Sequence, residues 1–407
     1  MKKSLTLAGL CLGAALSAQT FTTYTTLDGL PSDNVRDLAV GPDGALWMAT
    51  QAGVVRYNGV GFETHNTTTH PGLASDDVQA IAVAANGEVW AGTDFGVSVY
   101  DGASYVTYTT ADGLSDDQVK NIKQAPNGDV WIATINGATR YSGGVFTAFG
   151  SPEIPFGGVL HLAFAPNGDV WMSGGLSGVI VYDGNGFITI TTAQGLISNR
   201  IRAVAFDDAE NKWVATAEGI SVLDADDQHL TDHAQVFLLP PPDELNPITD
   251  VLVADNGLVW AGVYVDYLVT EGGVSVYDGS AWQQFETSDG LAGPNVRRLV
   301  VDGDGDVWVA TSTGVTEIGN ISIGIAEREA SQVVVLHPNP ANEQLGIHVA
   351  GGAFRQGVSV SIYDAGMRLL LTAALMGDRA TVDVSGLDAG VYVAQVAGVV
   401  QRFVVQH

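Results

Sequence analysis

A tryptophan returns every 40 to 48 residues through three quarters of the chain, at Trp47, Trp90, Trp131, Trp171, Trp213, Trp260 and Trp308. A period of that length marks a repeat architecture, in which each unit is one supersecondary element that hides its apolar face only against its neighbours. The local pattern is constant: PDGALWMAT, ANGEVWAGT, PNGDVWIAT, PNGDVWMSG, DAENKWVAT, DNGLVWAGV and GDGDVWVAT. A Gly-Val-x-x-Tyr stretch usually follows, as at Gly53–Tyr57 and Gly273–Tyr277. An aromatic strand comes next, and an Asp-Gly-Leu loop closes the unit, as at Asp28–Leu30, Asp112–Leu114 and Asp289–Leu291. Each unit reads as four short strands, a to d, with Asn-Gly or Asp-Gly supplying the tight a–b turn. Four antiparallel strands at this spacing predict a β-propeller blade, with the repeated Trp packed between blades.

The strand count predicts a closed ring. Seven a-b-c sets begin near 35, 78, 119, 159, 201, 248 and 296, and seven d strands near 21, 62, 105, 145, 187, 235 and 282. The first d strand precedes any a strand, and the last a-b-c set has no d strand after it. An N-terminal strand from Phe21 to Thr26 that completes the last blade would pair away both loose edges. The expectation is an all-β chain: a seven-bladed β-propeller over 19–319 closed by its N-terminal strand, a linker over 320–332, and a small C-terminal β-sandwich over 333–407.

Composition narrows the partners. Lys and Arg number 17 against 45 Asp and Glu, a formal charge of −28, which repels nucleic acid and anionic membrane surfaces. Met1-Lys2-Lys3, the apolar run Leu5–Leu16 and the small pair Ser17-Ala18 read as a signal peptide over 1–18. No later stretch is apolar enough for a membrane helix. Cys11, inside that run, is the single cysteine, so the mature chain has no thiol for disulfides, nucleophilic catalysis or thiolate metal sites.

The repeats resemble the two-component regulator propeller family. The pattern Asp-Gly-Leu-x-x-x-x-Val, then Gly-[Asp/Glu/Ala]-[Val/Leu]-Trp-x-Ala-Thr, then Gly-Val-x-x-Tyr, carries the resemblance and is nearly whole over 112–141. Gly157-Gly158-Val159 and Glu244-Leu245-Asn246 depart from it. In that family such propellers often form the periplasmic sensor half of membrane histidine kinases, and some sense glycans. This chain holds neither a membrane helix nor a kinase segment, so the resemblance implies at most ligand binding.

The terminal segment is similar to the type A C-terminal sorting domain of the type IX secretion system. Pro338-Asn339-Pro340-Ala341, Ile362-Tyr363-Asp364, Leu387 with Gly390-Val391-Tyr392, and Arg402-Phe403-Val404-Val405 carry that resemblance. It implies recognition by the type IX machinery, passage through the outer membrane, removal of the domain, and release or attachment at the cell surface.

Two features locate a ligand site. The d–a and b–c loops of a blade share one face of the ring, and two of them are lengthened, at Pro240–Pro247 and at Gly262–Gly272 with Tyr264 and Tyr267. Loops on a rigid scaffold are the usual place for binding. Seven of the ten propeller cations sit in or just before an a strand, and the second a-strand position reads Arg36, Gln79, Lys120, Leu160, Arg202, Thr249, Arg297. Arg36, Lys120, Arg202 and Arg297 are therefore expected to circle the channel mouth on that face. There they would hold a carboxylate, sulfate or uronic acid of an acidic glycan or surface protein. The bland reading pairs them with loop acids such as Asp33, Asp76 and Asp117.

Catalytic and metal signals are weak. His229 and His233 have metal-like i, i+4 spacing only if helical, and the repeat puts them in a c–d loop. His161 falls on an inner strand. Asp302-Gly-Asp304-Gly-Asp306 lacks the later Glu of a calcium loop and matches an ordinary a–b turn. No catalytic residue, metal ligand or cofactor is assigned. A secreted binding module is the leading reading, and a propeller lyase or hydrolase acting on a polysaccharide or small molecule is the alternative. A His–carboxylate pair in the channel would favour the enzyme, and an unpaired cationic ring would favour the binder.

Overall fold

The computed structural model describes residues 19–154, 158–238, 246–264, 271–319, 333–337, 340–350, 359–364, 368–374, 379–396 and 399–406. The expected signal peptide, the linker and Tyr267 lie outside them. The described residues are all-β apart from two single-turn helices, Thr110–Asp112 and Thr192–Gln194, and no helix among them is long and apolar enough to cross a membrane.

The chain divides into two compact units, Met1–Ile323 and Gly324–His407. In the first, the described strands form four-stranded antiparallel sheets in chain order, beginning with Val35–Val40, Leu46–Thr50, Gly53–Tyr57 and Phe62–His65. The a strands of the next five sheets begin at Val78, Val119, Leu162, Ile201 and Ile248. The last sheet joins Val296–Val301, Val307–Thr311 and Gly314–Gly319 to the N-terminal strand Thr20–Tyr24, which pairs Thr20 with Gly319 and Tyr24 with Val315. One expected strand is misplaced. The fifth d strand is His229–His233, not a segment near 235, so the two histidines lie on an outer strand rather than in a loop. The pattern there is charged and exposed, so the apolar signal used to find the other d strands is missing.

Each recurring Trp packs into the sheet that follows it. Trp90 meets Val119, Ile122 and Val130, and Trp131 meets Val159, Leu162 and Val170. Trp308 of the last sheet meets Leu30, Val35, Leu38 and Met48 of the first. The Asp-Gly-Leu loop has a specific job in this packing. In Asp112-Gly113-Leu114, the Asp112 carboxylate accepts the Thr109 N–H at 2.9 Å, Gly113 takes φ +115°, and Leu114 drops into the inter-sheet core. A Cβ on Gly113 would sit in the left-handed region and 3.1 Å from Phe146, so this turn needs glycine.

The second unit holds a three-stranded sheet of Val333–His337, Gln344–Ala350 and Arg379–Asp383. Its second sheet is Leu369–Ala374, Ser359–Tyr363, Gly390–Val396 and Val399–Val405. Both sheets feed one core, with Leu345, Ile347 and Val382 from one and Ile362, Ala394 and Phe403 from the other.

Candidate functional site

The a strands are the inner edges of their sheets, and an edge presents unpaired N–H groups. At the third a-strand position three sheets supply an acceptor for the neighbouring edge. Asp37 accepts the Ile81 N–H at 3.0 Å, Asn121 the Leu162 N–H at 3.1 Å, and Asp250 the Leu299 N–H at 2.8 Å. All three side chains are buried. The same position in the last sheet is Arg298, whose Nε lies 2.9 Å from Asp37 and whose Nη1 lies 3.3 Å from Asp250. Burial opposes the Arg298 charge, and the two carboxylates more than restore it, so its pKa rises. Burial likewise pushes the Asp37 carboxyl up against the pull of Arg298.

This bridge lies between two cavities, and Arg298 lines both. One, of about 370 Å³, is lined at the starts of the a strands by Lys120, Leu160, Arg202, Thr249 and Arg297, together with Tyr264. Five of the seven second-position residues thus converge on a single space, including three of the four cations expected there. Arg36 is outside that lining. It pairs with Asp77 at 2.7 Å, and Lys120 pairs with Asp94 at 3.3 Å. Arg202 and Arg297 form no ion pair or side-chain hydrogen bond with the described residues. Burial and the nearby Arg36 lower the Arg297 pKa, with Tyr264 and Asp77 acting in the opposite direction.

The loop acids expected to neutralise the ring do something else. Asp33, Asp76 and Asp117 accept backbone N–H groups of Thr26, Thr67 and Thr110 at 2.6 Å, 2.6 Å and 2.7 Å. They are seven to nine residues along from those donors, so each closes its own loop. The partners actually used, Asp77 and Asp94, belong to the neighbouring repeat, which spacing along one repeat cannot reveal.

The second cavity, of about 520 Å³, is lined further along the a strands and at the a–b turns, by Gly41, Ala84, Gln124, Lys123, His161 and Val300 among others. His161 is buried, its Nε2 lies 3.1 Å from Lys123 Nζ and 3.9 Å from Asp250 Oδ1, and its Nδ1 has no partner. Burial, then the Lys123 and Arg298 charges, hold its pKa well below the usual value. Lys123 itself is lowered by burial to about 8. Sequence reasoning named His161 and counted Lys123 and Arg298 among the cations, but missed Asp37 and Asp250. The readable signal was a run of charged or polar residues at the third a-strand position, where an inner strand would otherwise carry Ala, as at Ala80 and Ala203.

Away from the channel, Asp302, Asp306 and Glu317 place carboxylate oxygens within 4.8 Å of one another. Asp302 already accepts the Asp304 and Asp306 N–H groups and the Trp308 Nε1–H, which is the work of an a–b turn.

Residues 29–52 and 290–313 match the two component regulator propeller family, and residues 335–406 match the secretion system C-terminal sorting domain. No curated protein sequence matches the chain. Among solved structures, PorZ of Porphyromonas gingivalis, described as a bacterial surface component of the type-IX secretion system, aligns with a TM-score of 0.58 at 19% identity over 93% of this chain and 60% of its own. The extracellular domain of a putative hybrid two component system from B. thetaiotaomicron aligns at 0.61 and 14% identity, over 95% of this chain and 60% of its own. A catalytically inactive virginiamycin B lyase from Staphylococcus aureus, solved with quinupristin, aligns at 0.58 and 12% identity, over 74% of this chain and 99% of its own. The chain spans about 60% of the length of the first two. At these identities the likeness is one of fold. The chain is a β-propeller with a type IX sorting domain, and it is a secreted or cell-surface protein.

Proposed function

We propose that the chain is an exported binding module, a seven-bladed propeller over 19–319 closed by its N-terminal strand, which takes a carboxylate- or sulfate-bearing ligand such as an acidic glycan at the channel mouth. Residues 1–18 act as signal peptide, 320–332 as linker, and 333–407 as the domain that engages the type IX machinery. The observation that carries the binding reading is the pair Arg202 and Arg297, two guanidinium groups without a carboxylate partner among the described residues, both lining the 370 Å³ cavity. In a chain of net charge −28, unpaired cations at one concave site are a selective feature rather than a general one. Guanidinium groups suit bidentate capture of carboxylate or sulfate. Lys120 lines the same cavity while tied to Asp94, and Arg36, tied to Asp77, stands outside the lining. Tyr264, which ends the strand Val259–Tyr264 rather than lying in the loop expected over Gly262–Gly272, offers an aromatic face of the kind that packs on sugar rings, and Tyr267 is proposed to join it.

The lyase or hydrolase alternative calls for a His–carboxylate pair able to pass a proton. In the channel, His161 Nε2 stands 3.9 Å from Asp250 Oδ1, beyond hydrogen-bond length, and Asp250 is engaged by Arg298 and the Leu299 N–H. That favours binding. The test is retention of the exported chain on an acidic-glycan array. Arg202→Gln with Arg297→Gln should lower retention by about tenfold or more, and wild-type retention should fall as salt is raised. Equal retention by the double variant would remove the proposal.

A further inference from the structure

Asp37, Asp250, Arg298 and Lys123 all line the 520 Å³ cavity, and their charges sum to zero. A neutral ligand suits such a space better than an ion, because it adds no uncompensated charge. What the cavity holds for a neutral ligand is a nucleophile. Lys123 keeps part of its surface open, and its Nζ lies 3.1 Å from His161 Nε2. An ammonium has donors and no acceptor, so the neutral imidazole accepts at that contact. A lysine amine kept out of bulk water, near a second cation and beside a base, is the arrangement that attacks carbonyl carbon.

The other lysines are held differently. Beyond Lys3 the chain has three, Lys120, Lys123 and Lys212. Lys120 pairs with Asp94 at 3.3 Å. Lys212 donates to the carbonyls of Asp224 and Ala225 at 2.8 Å and 2.7 Å and pairs with Asp227 at 2.8 Å. Those three partners take up its donors, so a carbonyl has no approach to its nitrogen.

We propose that Lys123 captures a small neutral aldehyde, such as the open-chain end of a reducing sugar, as an imine within this cavity, with His161 as the proton acceptor. The Lys123 ammonium passes one proton to His161 Nε2, and the freed electron pair attacks the carbonyl carbon. The C–N bond forms as the carbonyl π pair moves onto oxygen. A second nitrogen proton then transfers to that oxygen, giving a carbinolamine. The imidazolium returns its proton to the hydroxyl, the C–O bond breaks, and water leaves as the nitrogen pair closes the C=N bond. The iminium carries the one positive charge that the ammonium carried, so the cavity stays neutral throughout. The proposal does not rest on the mouth site and would survive failure of Arg202 and Arg297 to bind anything.

The charged and titratable groups facing Lys123 are Arg298, Asp37, Asp250 and His161, and burial leaves its pKa at about 8. At pH 7 roughly a tenth of such an amine is neutral, against about one part in three thousand for an ordinary lysine. Lower basicity weakens the nucleophile, which gives back part of that advantage.

The experiment treats the full chain with D-glyceraldehyde and sodium cyanoborohydride, which reduces an imine to a stable amine, and reads each lysine by peptide mass spectrometry. At pH 7 Lys123 should be alkylated about tenfold or more faster than Lys120, and the ratio should shrink as pH is raised above 8. The rate at Lys123 should level off with glyceraldehyde concentration, while the rate at Lys120 stays proportional to it. Alkylation of Lys123 no faster than of Lys120, or without saturation, would overturn the proposal. Arg202→Gln with Arg297→Gln should leave trapping at Lys123 unchanged, and its loss there would also count against an independent site. His161→Gln keeps an acceptor but not a base and should slow Lys123 several-fold. An unchanged rate would remove His161 from the step. The comparison of lysines within the unmodified protein decides the matter even if that variant misfolds.

Discussion

Lys123 shows how one buried charge can weaken a fold. Its folded pKa is depressed to about 8 by burial, below the ordinary lysine value of 10.5. The sign follows from proton counting. Between those two values the unfolded chain holds a proton that the folded chain has lost, so stability rises with pH through that window. Below pH 8 both states hold it, and the cost of keeping an ammonium in the channel is present in full. Lys123→Met should therefore stabilise the protein at pH 7 by about 1–3 kcal/mol, with the advantage over wild type shrinking toward pH 10.5. Denaturant titrations at pH 7 and pH 10 check this, and an advantage that grows with pH would contradict it. Arg202 and Arg297 were legible as candidates from their recurring position. Their freedom from partners was not, because pairing depends on which neighbouring-repeat acid reaches across.

At the scale of the element, the repeat is written almost wholly in local chemistry. The a–b turn places a positive φ at Gly44, Gly87, Gly128, Gly168, Gly257 and Gly305. The fifth repeat puts Glu210 there at φ 62°, with its N–H bonded to Asp207 O at 2.9 Å, the same turn bond Gly44 makes to Gly41. A side chain in that region carries strain that glycine lacks. Glu210→Gly should raise stability by up to about 1 kcal/mol, and Gly128→Ala should lower it by a similar amount. Thermal melts of the two variants give the comparison, and a loss of stability in Glu210→Gly would show that the side chain makes contacts that outweigh the backbone term. The d strand His229–His233 was misread, and the reason is local as well. With exposure on nearly every residue it carries no alternation to find, and it is held by its ladder to Gly219–Leu223 and by His233, which stacks on Trp213 and accepts the Trp282 Nε1–H.

For the whole molecule, the proposed ring rests on the junction between the last sheet and the first. Tyr24 stacks on Trp308 at a centroid distance of 5.8 Å, and its hydroxyl lies 3.1 Å from that of Tyr57. Thr23 Oγ1 donates to Gly290 O at 2.7 Å. Removing Thr20–Tyr24 would expose the edge of Gly314–Gly319 and uncover Trp308, so the truncated chain should melt at a lower temperature and associate through the open edge. Light scattering and calorimetry test this, and a truncated chain that stays monomeric with unchanged melting would refute closure. The sequence by itself determined the all-β character, the sheet repeat, the Trp seams and the sorting domain. Each of these is set by residues close together in the chain, where turn geometry and apolar spacing act directly. Tertiary structure alone decided which charges meet. Asp37, Lys123, His161, Asp250 and Arg298 come from five different repeats, and only the convergence of the inner strands brings them within reach of one another. That convergence divides the cations into those paired with a neighbouring repeat's acid and those without a carboxylate partner among the described residues.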